Sequence, residues 1–161
     1  GCTNVQDRFR PAALGTEYPY VRKGSFVFDT KIVIILRDNL MAWQELNVTA
    51  FLMSGIVAQN SRLIGEPYRD RAGHIYNPMT IQPVVVLTGD QSVLANAQRR
   101  CLEQEITASA YIEEMFATGH DAANREVFAQ FAPEDAKLVG IAFRAPKKVA
   151  DKISKGAKMH G

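Results

Sequence analysis

Three stretches rich in apolar and β-branched residues indicate buried strands, at residues 31–36, 84–87 and 138–143. Strands that are apolar at successive positions are typically covered on both faces. We therefore predict that the first two stretches are adjacent, parallel strands. Residues 107–112 alternate between small and polar side chains, which predicts a half-exposed strand.

The segments between these strands repeat apolar residues every three or four positions, as amphipathic helices do. A first helix is predicted from about Ala42 to Gln59. Its stripe of Leu46, Ala50, Met53 and Val57 is expected to face the core.

A second helix is predicted from Gln91 to about Glu105, with Asp90 as its N-cap. The helix turns Val93, Ala97 and Cys101 inward at every fourth position. This placement makes Cys101 a small core residue rather than a nucleophile.

Two further helices are predicted towards the end of the chain. Ala123, Val127 and Phe131 form one helical face, and Pro146 begins a lysine-rich helix that Gly156 ends. A strand followed by a helix thus occurs four times, which predicts a three-layer α/β/α sandwich.

The same pattern predicts the domain organisation. Residues 1–23 contain scattered prolines and charges and are expected to form an N-terminal arm. Residues 24–161 are expected to form a single α/β domain, with a short strand at Ser25–Phe28. A long loop spans residues 60–82, and loops of that length are often functional.

Composition limits the class of protein. The chain has 161 residues, 47% of them hydrophobic, with a formal net charge of +2, which is typical of a globular domain. No stretch reaches the roughly 20 apolar residues that span a membrane, and no secretory signal is seen at the start. We therefore expect a cytoplasmic protein without a membrane partner.

Sequence motifs exclude several kinds of chemistry. The two cysteines and three histidines lack the spacing of a zinc site, so neither a metal nor a cofactor is expected. Residues 36–40 lack the glycine pattern of a dinucleotide site, and the phosphate-loop and nucleophile-elbow motifs are missing.

Candidate ligand-binding residues stand where predicted strands end and helices begin. They are Arg37, Asp38, Trp43, Asn47, Thr88, Thr118 and His120. Open α/β sheets bind ligands beyond the carboxyl ends of their strands, and helix N-termini favour anions. These residues therefore predict a pocket for a small anionic ligand. If the protein is an enzyme, His120, Asp38 and Asn47 are the catalytic candidates, although a surface histidine at a helix start also explains His120.

Charge is concentrated at the end of the chain. Residues 137–161 hold seven Lys or Arg and one acidic residue, a net charge of +6, which leaves −4 for the remainder. Lys148, Lys152 and Lys155 share one helical face and could contact RNA phosphates. A solvated basic helix is the more common explanation of such lysines.

Several segments resemble known families. Residues 31–40, Lys-Ile-Val-Ile-Ile-Leu-Arg-Asp-Asn-Leu, resemble the opening of the type II peptidyl-tRNA hydrolases, and residues 137–146 are similar to their last strand. Residues 43–48, 65–68 and 82–86 more closely resemble an uncharacterised family, domain of unknown function 2000, that shares this fold. The resemblance implies a mixed four-stranded sheet with helices on both sides.

The departures from the hydrolase pattern bear on function. The hydrolases open their first helix with Gly-Lys-x-Ala-Ala-Gln, where this chain has Leu46 at the lysine and Ala50 at the glutamine. Their Asp-Ala-Gly-x-Thr segment is replaced by residues 113–116. Two hypotheses follow. The first is a non-catalytic module, in the form of a homodimer, that binds a small anionic ligand or RNA. The second is a divergent hydrolase of an ester or amide bond.

Overall fold

The structure is a computed structural model and describes residues 28–161. The predicted N-terminal arm lies outside the described residues, as does all of the predicted Ser25–Phe28 strand except Phe28, which is not in a strand. Within the described part, no helix is long and apolar enough to cross a membrane.

A mixed sheet of five strands forms the centre of the fold, in the order β5-β6-β1-β4-β7. The strands are β1 (Thr30–Arg37), β4 (Val84–Gly89), β5 (Ser109–Ile112), β6 (Leu138–Pro146) and β7 (Lys158–Met159). A separate hairpin of β2 (Tyr68–Arg69) and β3 (Ile75–Tyr76) lies in the long loop.

The predicted pairing of the first two strands is confirmed. Strand β1 runs parallel to β4, with Ile32 opposite Val84 and Arg37 opposite Gly89. On its other side β1 pairs antiparallel with β6, and β6 pairs antiparallel with β5. The carboxyl ends of β1, β4 and β5 therefore meet at one edge of the sheet.

The sheet has one strand more than the predicted four. The extra strand is β7, which pairs antiparallel with β4 through Leu87 and Thr88. Strand β4 is consequently second from the edge, and all of its residues are half-buried instead of fully buried. The strand that is buried on both faces beside β1 is β6.

Four helices cover the two faces of this sheet. They are α1 (Ala42–Gln59), α2 (Gln91–Glu103), α3 (Asp121–Phe128) and α4 (Lys147–Ile153). Helix α1 packs on one face through Val48, Leu52 and Ile56. Helices α2 and α4 pack on the other face, so the predicted helix–sheet–helix layering is confirmed.

Helix α1 begins and ends at the predicted residues. The stripe that was predicted to face the core does not face it. Leu46 is 74% exposed, Ala50 is exposed, and Met53 and Val57 are half-buried. The sequence offers two apolar stripes on this helix, and periodicity alone does not say which of them meets the sheet.

Helix α2 differs by one position from the prediction. Leu94, rather than Val93, joins Ala97 and Cys101 in the core. Asp90 is the N-cap as predicted, because its Oδ1 accepts a hydrogen bond from the Val93 amide at 3.0 Å. Cys101 is 2% exposed, and burial raises the pKa of its thiol to about 12, as suits a core residue.

Candidate functional site

The first group of predicted site residues lies at the carboxyl ends of β1 and β4. The Asp38 amide donates to the Gly89 carbonyl at 2.9 Å, and the Thr88 hydroxyl donates to the Leu36 carbonyl at 3.2 Å. Parallel pairing of the two strands therefore brings Arg37, Asp38 and Thr88 to one corner, as the sequence suggested.

Side chains of the protein already bind the guanidinium of Arg37 at this corner. Arg37 Nη1 lies 3.3 Å from a carboxylate oxygen of Glu113 and 3.3 Å from the side-chain oxygen of Gln91. Its Nε donates to Asn39 Oδ1 at 2.6 Å, and the side chain is only 13% exposed. Arg37 thus ties the end of β1 to the segments after β4 and β5, which leaves little of its charge for an anion.

The N-termini of α2 and α3 are also occupied. At α2 the Asp90 carboxylate fills this position, and hydrogen bonds from Ser92 and the Val93 amide lower the pKa of Asp90. At α3 the His120 Nδ1 accepts from the Ala123 amide at 3.2 Å. His120 is therefore a capping residue, whose other ring nitrogen is the one left for further contacts.

Trp43 begins a run of aromatic rings between α1 and the segment of β5. Its ring meets that of Phe116 edge to face at 5.8 Å. Phe116 contacts Tyr111 at 5.2 Å, and Tyr111 contacts Phe51 at 5.9 Å. These distances are favourable for aromatic pairs. Trp43 thus anchors the first turn of α1 to the segment that follows β5.

The remaining two predicted residues are Asn47 and Thr118. Asn47 is exposed on α1. Thr118 donates to the Met115 carbonyl at 2.8 Å and also contacts the side-chain amide of Asn124. Neither of the two cavities described below is lined by any of the seven predicted residues.

A cavity of about 310 Å³ opens where α1, the edge strand β5 and α3 meet, and we call it the α1–α3 cavity. Its apolar and aromatic lining is Phe51, Leu52, Gly55, Ala110, Tyr111, Met115 and Phe128. Its polar lining is Ser54, Ser109, Asp121, Asn124 and Arg125. Ligand pockets commonly combine an apolar lining with a few polar groups, and they begin at about 300 Å³.

Local packing and charge shape this cavity. Gly55 allows α1 to approach β5, because a Cβ there would overlap the side chain of Ser109. Burial raises the pKa of the Tyr111 phenol, which therefore stays neutral. Arg125 forms an exposed ion pair with Asp121 one turn earlier on α3. The cavity thus has a neutral, aromatic interior and charged groups at α3.

The α1–α3 cavity was not predicted from the sequence. Each of its walls was predicted as an element, but no motif marks Ser109, Asn124 or Arg125 as a group. The signal that could have pointed to the cavity is Gly55, in the middle of α1. A glycine inside a helix lowers stability, so its presence there suggests that another element packs closely against it.

A second cavity, of about 200 Å³, lies at the end of the sheet where β1 and β4 begin. Gln82, which is 3% exposed, lines it. The Gln82 side chain donates to the Thr30 carbonyl at 2.6 Å and accepts from Arg144 Nε at 3.2 Å. Its polar atoms are therefore satisfied by the protein, and we assign it a structural role.

The long loop carries a polar cluster centred on Asp70. Its carboxylate lies 2.9 Å from His74 Nδ1, accepts from the Tyr76 hydroxyl at 3.0 Å, and accepts from the Ala72 amide at 2.9 Å. These hydrogen bonds, above all that from His74, lower the pKa of Asp70. The cluster is exposed and closes the β2–β3 turn, which gives it a structural explanation.

Comparison with known proteins places this geometry in a family. A solved structure of a protein of unknown function from Agrobacterium tumefaciens strain C58 is 64% identical to this chain, with a TM-score of 0.83. The match covers 84% of this chain and 100% of that one. No curated protein matches. Residues 30–161 match the family described as "Protein of unknown function (DUF2000)". The resemblance to the DUF2000 family is thus confirmed, and the chain belongs to that family.

Proposed function

We propose that this protein is a non-catalytic module that binds a small anionic ligand with an aromatic or apolar body. The observation that carries the proposal is the α1–α3 cavity, in which Phe51, Tyr111 and Phe128 surround space next to Arg125. Aromatic walls favour the body of such a ligand through buried area, and a guanidinium favours its carboxylate or phosphate.

Arg125 can serve an incoming anion although it already has a partner. Its side chain and that of Asp121 are 70% and 79% exposed, and exposed ion pairs contribute little to stability. The guanidinium has five N–H donors, so donors remain for a ligand. Asp121 also lines the cavity and opposes an anion there, so a bound carboxylate or phosphate has to share Arg125 with it. Asn124 and Ser109 supply neutral polar groups beside it.

The test compares matched ligands and matched variants. Small aromatic carboxylates and their uncharged amides are screened by thermal shift. We expect carboxylates to raise Tm more than their amides, since a ligand at 100 times its Kd adds about 2.7 kcal/mol. Arg125→Gln should remove that preference. Arg99→Gln is the control, because Arg99 forms the same kind of exposed ion pair with Glu103 on α2.

Two results would overturn the proposal. One is a panel in which no aromatic acid stabilises the protein. The other is a carboxylate preference that survives Arg125→Gln, because the anion would then bind elsewhere. Amide chemical shifts of residues 109–111 and 121–128 should move on binding, and shifts confined to α4 would point to its lysines instead.

We place the small ligand ahead of RNA and ahead of hydrolysis. The positive charge of residues 137–161 favours RNA, but the exposed lysines of α4 line no part of the α1–α3 cavity. For hydrolysis, His120 Nδ1 is engaged with a backbone amide and Cys101 is buried in the core. Asp38 and Asn47 line no cavity with His120.

We further propose that the fold is that of the type II peptidyl-tRNA hydrolases without their activity. The antiparallel β6, the parallel β1–β4 pair and helices on both faces support the likeness in fold. Leu46 and Ala50, which stand at the hydrolases' lysine and glutamine, are exposed apolar positions here. We expect purified protein to release no tRNA from peptidyl-tRNA, and release at an enzymatic rate would contradict this.

A further inference from the structure

Helix α1 carries a second apolar stripe that the fold covers only in part, because Trp43 contacts Phe116 and Met53 packs against the core. Val48, Leu52 and Ile56 meet the sheet and are buried. The other stripe consists of Trp43, Leu46, Ala50, Met53 and Val57, and we call it the outer seam. Trp43 is 56% exposed and Leu46 is 74% exposed. Ala50 is exposed as well, and the last two residues are half-buried.

The spacing of the outer seam is that of a helix–helix contact. Its residues follow one another at intervals of three, four, three and four, which is the a/d repeat of two heptads. Such a repeat keeps side chains on one line along the helix. Scattered exposed apolar residues are ordinary, but a continuous line of them indicates an interaction surface.

The seam is free of charge along its whole length. A helix on a protein surface normally turns charged residues outward, as α2 does with its Arg99–Glu103 pair. Helix α1 has one charged residue, Glu45, whose carboxylate lies 3.1 Å from His160 Nε2. Since no like charges would meet, a second copy of the same seam is an electrostatically acceptable partner.

We propose that the outer seam is the interface of a homodimer, in which α1 packs antiparallel against α1 of a second copy about a two-fold axis near Ala50. A two-fold axis makes the same patch serve both copies. The small Ala50 side chain at the axis lets the two helices approach. This inference is independent of the proposed ligand site.

The residue sizes along the seam fit this arrangement. Trp43 lies seven residues before Ala50, and Val57 lies seven residues after it. In the antiparallel arrangement the large Trp43 ring therefore meets the partner's Val57, and Leu46 lies near the partner's Met53. A parallel arrangement would instead set the two tryptophans against each other and the two valines against each other, which fills space less evenly.

The exposed area is that of a small interface. The largest apolar patch on a monomer typically spans about 300–600 Å² and is often functional. Leu46 and Trp43, at 74% and 56% exposure, are the largest bare side chains of the seam. A standard interface buries roughly 800 Å² per partner, so we expect a weak dimer whose apparent mass rises with concentration.

The first test is the mass of the full-length protein in solution, measured by sedimentation equilibrium at several concentrations. We expect a dimer for the wild type and a monomer for Leu46→Glu, which places a charge against the second copy. Leu102→Glu is the matched control, because Leu102 is also an exposed leucine, at 59% against 74% for Leu46, and lies on α2. That variant should remain a dimer. Circular dichroism checks that each variant folds.

The second test locates the two-fold axis of the dimer. In a Cys2→Ser background, which leaves only the buried Cys101, Ala50→Cys should form a disulfide between copies on mild oxidation, and Leu102→Cys should not. A monomeric wild type at every concentration would overturn the proposal. So would a Leu46→Glu variant that is still dimeric, and so would a dimer in which Ala50→Cys does not cross-link.

Discussion

Gly140 is the residue that lets α1 rest on the sheet. A Cβ at this position would lie 2.6 Å from Val48 Cγ1 and 2.9 Å from Leu52 Cδ1. Both neighbours are buried core residues and are not free to move aside. Helix α1 therefore packs closely on β6 because Gly140 has no side chain.

Gly140→Ala should accordingly destabilise the fold. Inserting a methyl into a packed core typically costs about 1–3 kcal/mol, and urea denaturation followed by circular dichroism measures the loss. Gly119→Ala is the control, because nothing lies within 4 Å of a Cβ there. We expect that variant to stay within about 0.5 kcal/mol of the wild type. Equal stability of the two variants would show that α1 can move away from β6.

Asp90 gives a residue-scale prediction about pH. Its pKa in the folded protein is lowered below 3.8 by Ser92 and the Val93 amide, so its stabilising effect is complete above the unfolded value of 3.8. The effect is lost as the pH falls through the lower folded pKa. We expect Asp90→Ala to lower Tm at pH 7, and the gap from wild type to narrow below pH 3.8. Asp90→Asn, which caps without ionising, should lack this pH-dependent part.

Among the elements, β1 and β4 differ in burial although they pair residue for residue. Ile34 in β1 is 0% exposed and stands opposite Val86 in β4, which is half-buried. The difference arises because β1 lies between two long strands, whereas β4 has only the two-residue β7 on its outer side.

Ile34→Ala should therefore cost more than Val86→Ala. Truncation of a fully buried isoleucine typically loses about 2–5 kcal/mol, from lost transfer free energy and the cavity left behind. Val86 loses fewer buried atoms and borders solvent, so we expect a smaller loss. The difference is read from urea midpoints at equal m-values. A larger loss at Val86 would mean that β4 is covered more completely than the structure shows.

At the scale of the whole molecule, β7 protects the edge of the sheet. Leu87 and Thr88 of β4 pair with it, and the His160 amide donates to the Val86 carbonyl at 3.2 Å. Open strand edges pair with other chains and cause aggregation. The last residues thus shield a strand whose own sequence is strongly β-forming.

Deletion of residues 158–161 should expose that edge. We expect the truncated protein to aggregate on mild heating at a temperature where the full chain stays clear, as measured by light scattering. His160→Ala is the control, because it removes the side-chain contact with Glu45 and keeps the backbone pairing. Clear solutions of the truncated protein would show that β4 does not need this cover.

The elements themselves were largely predictable from sequence. Local patterns predicted the ends of α1, the Asp90 cap, the parallel β1–β4 pair and the β6 strand. Helix caps and strand periodicity depend on residues that are neighbours in the sequence. The two-residue β7 was not predictable, since so short a strand has no periodicity and exists only because β4 has an open edge beside it.

The candidate site was predictable only in part. Parallel pairing alone brings Arg37, Asp38 and Thr88 together, so their meeting could be expected from the strand ends. The ion pair between Arg37 and Glu113 could not be expected, because the two residues lie far apart in sequence and meet only through the sheet order. The α1–α3 cavity has the same origin, since its walls come from three separate segments.

Helix α1 shows most clearly what each level decides. By itself the sequence determined that residues 42–59 form a helix with two apolar stripes, because propensity and spacing are local properties. Only the tertiary structure decided which stripe meets the sheet. Val48 and Leu52 fit against Gly140, where the missing side chain allows close packing, and that fit leaves Trp43 and Leu46 facing outward. Periodicity states that a face is apolar, and the shape of its neighbour determines which face is buried.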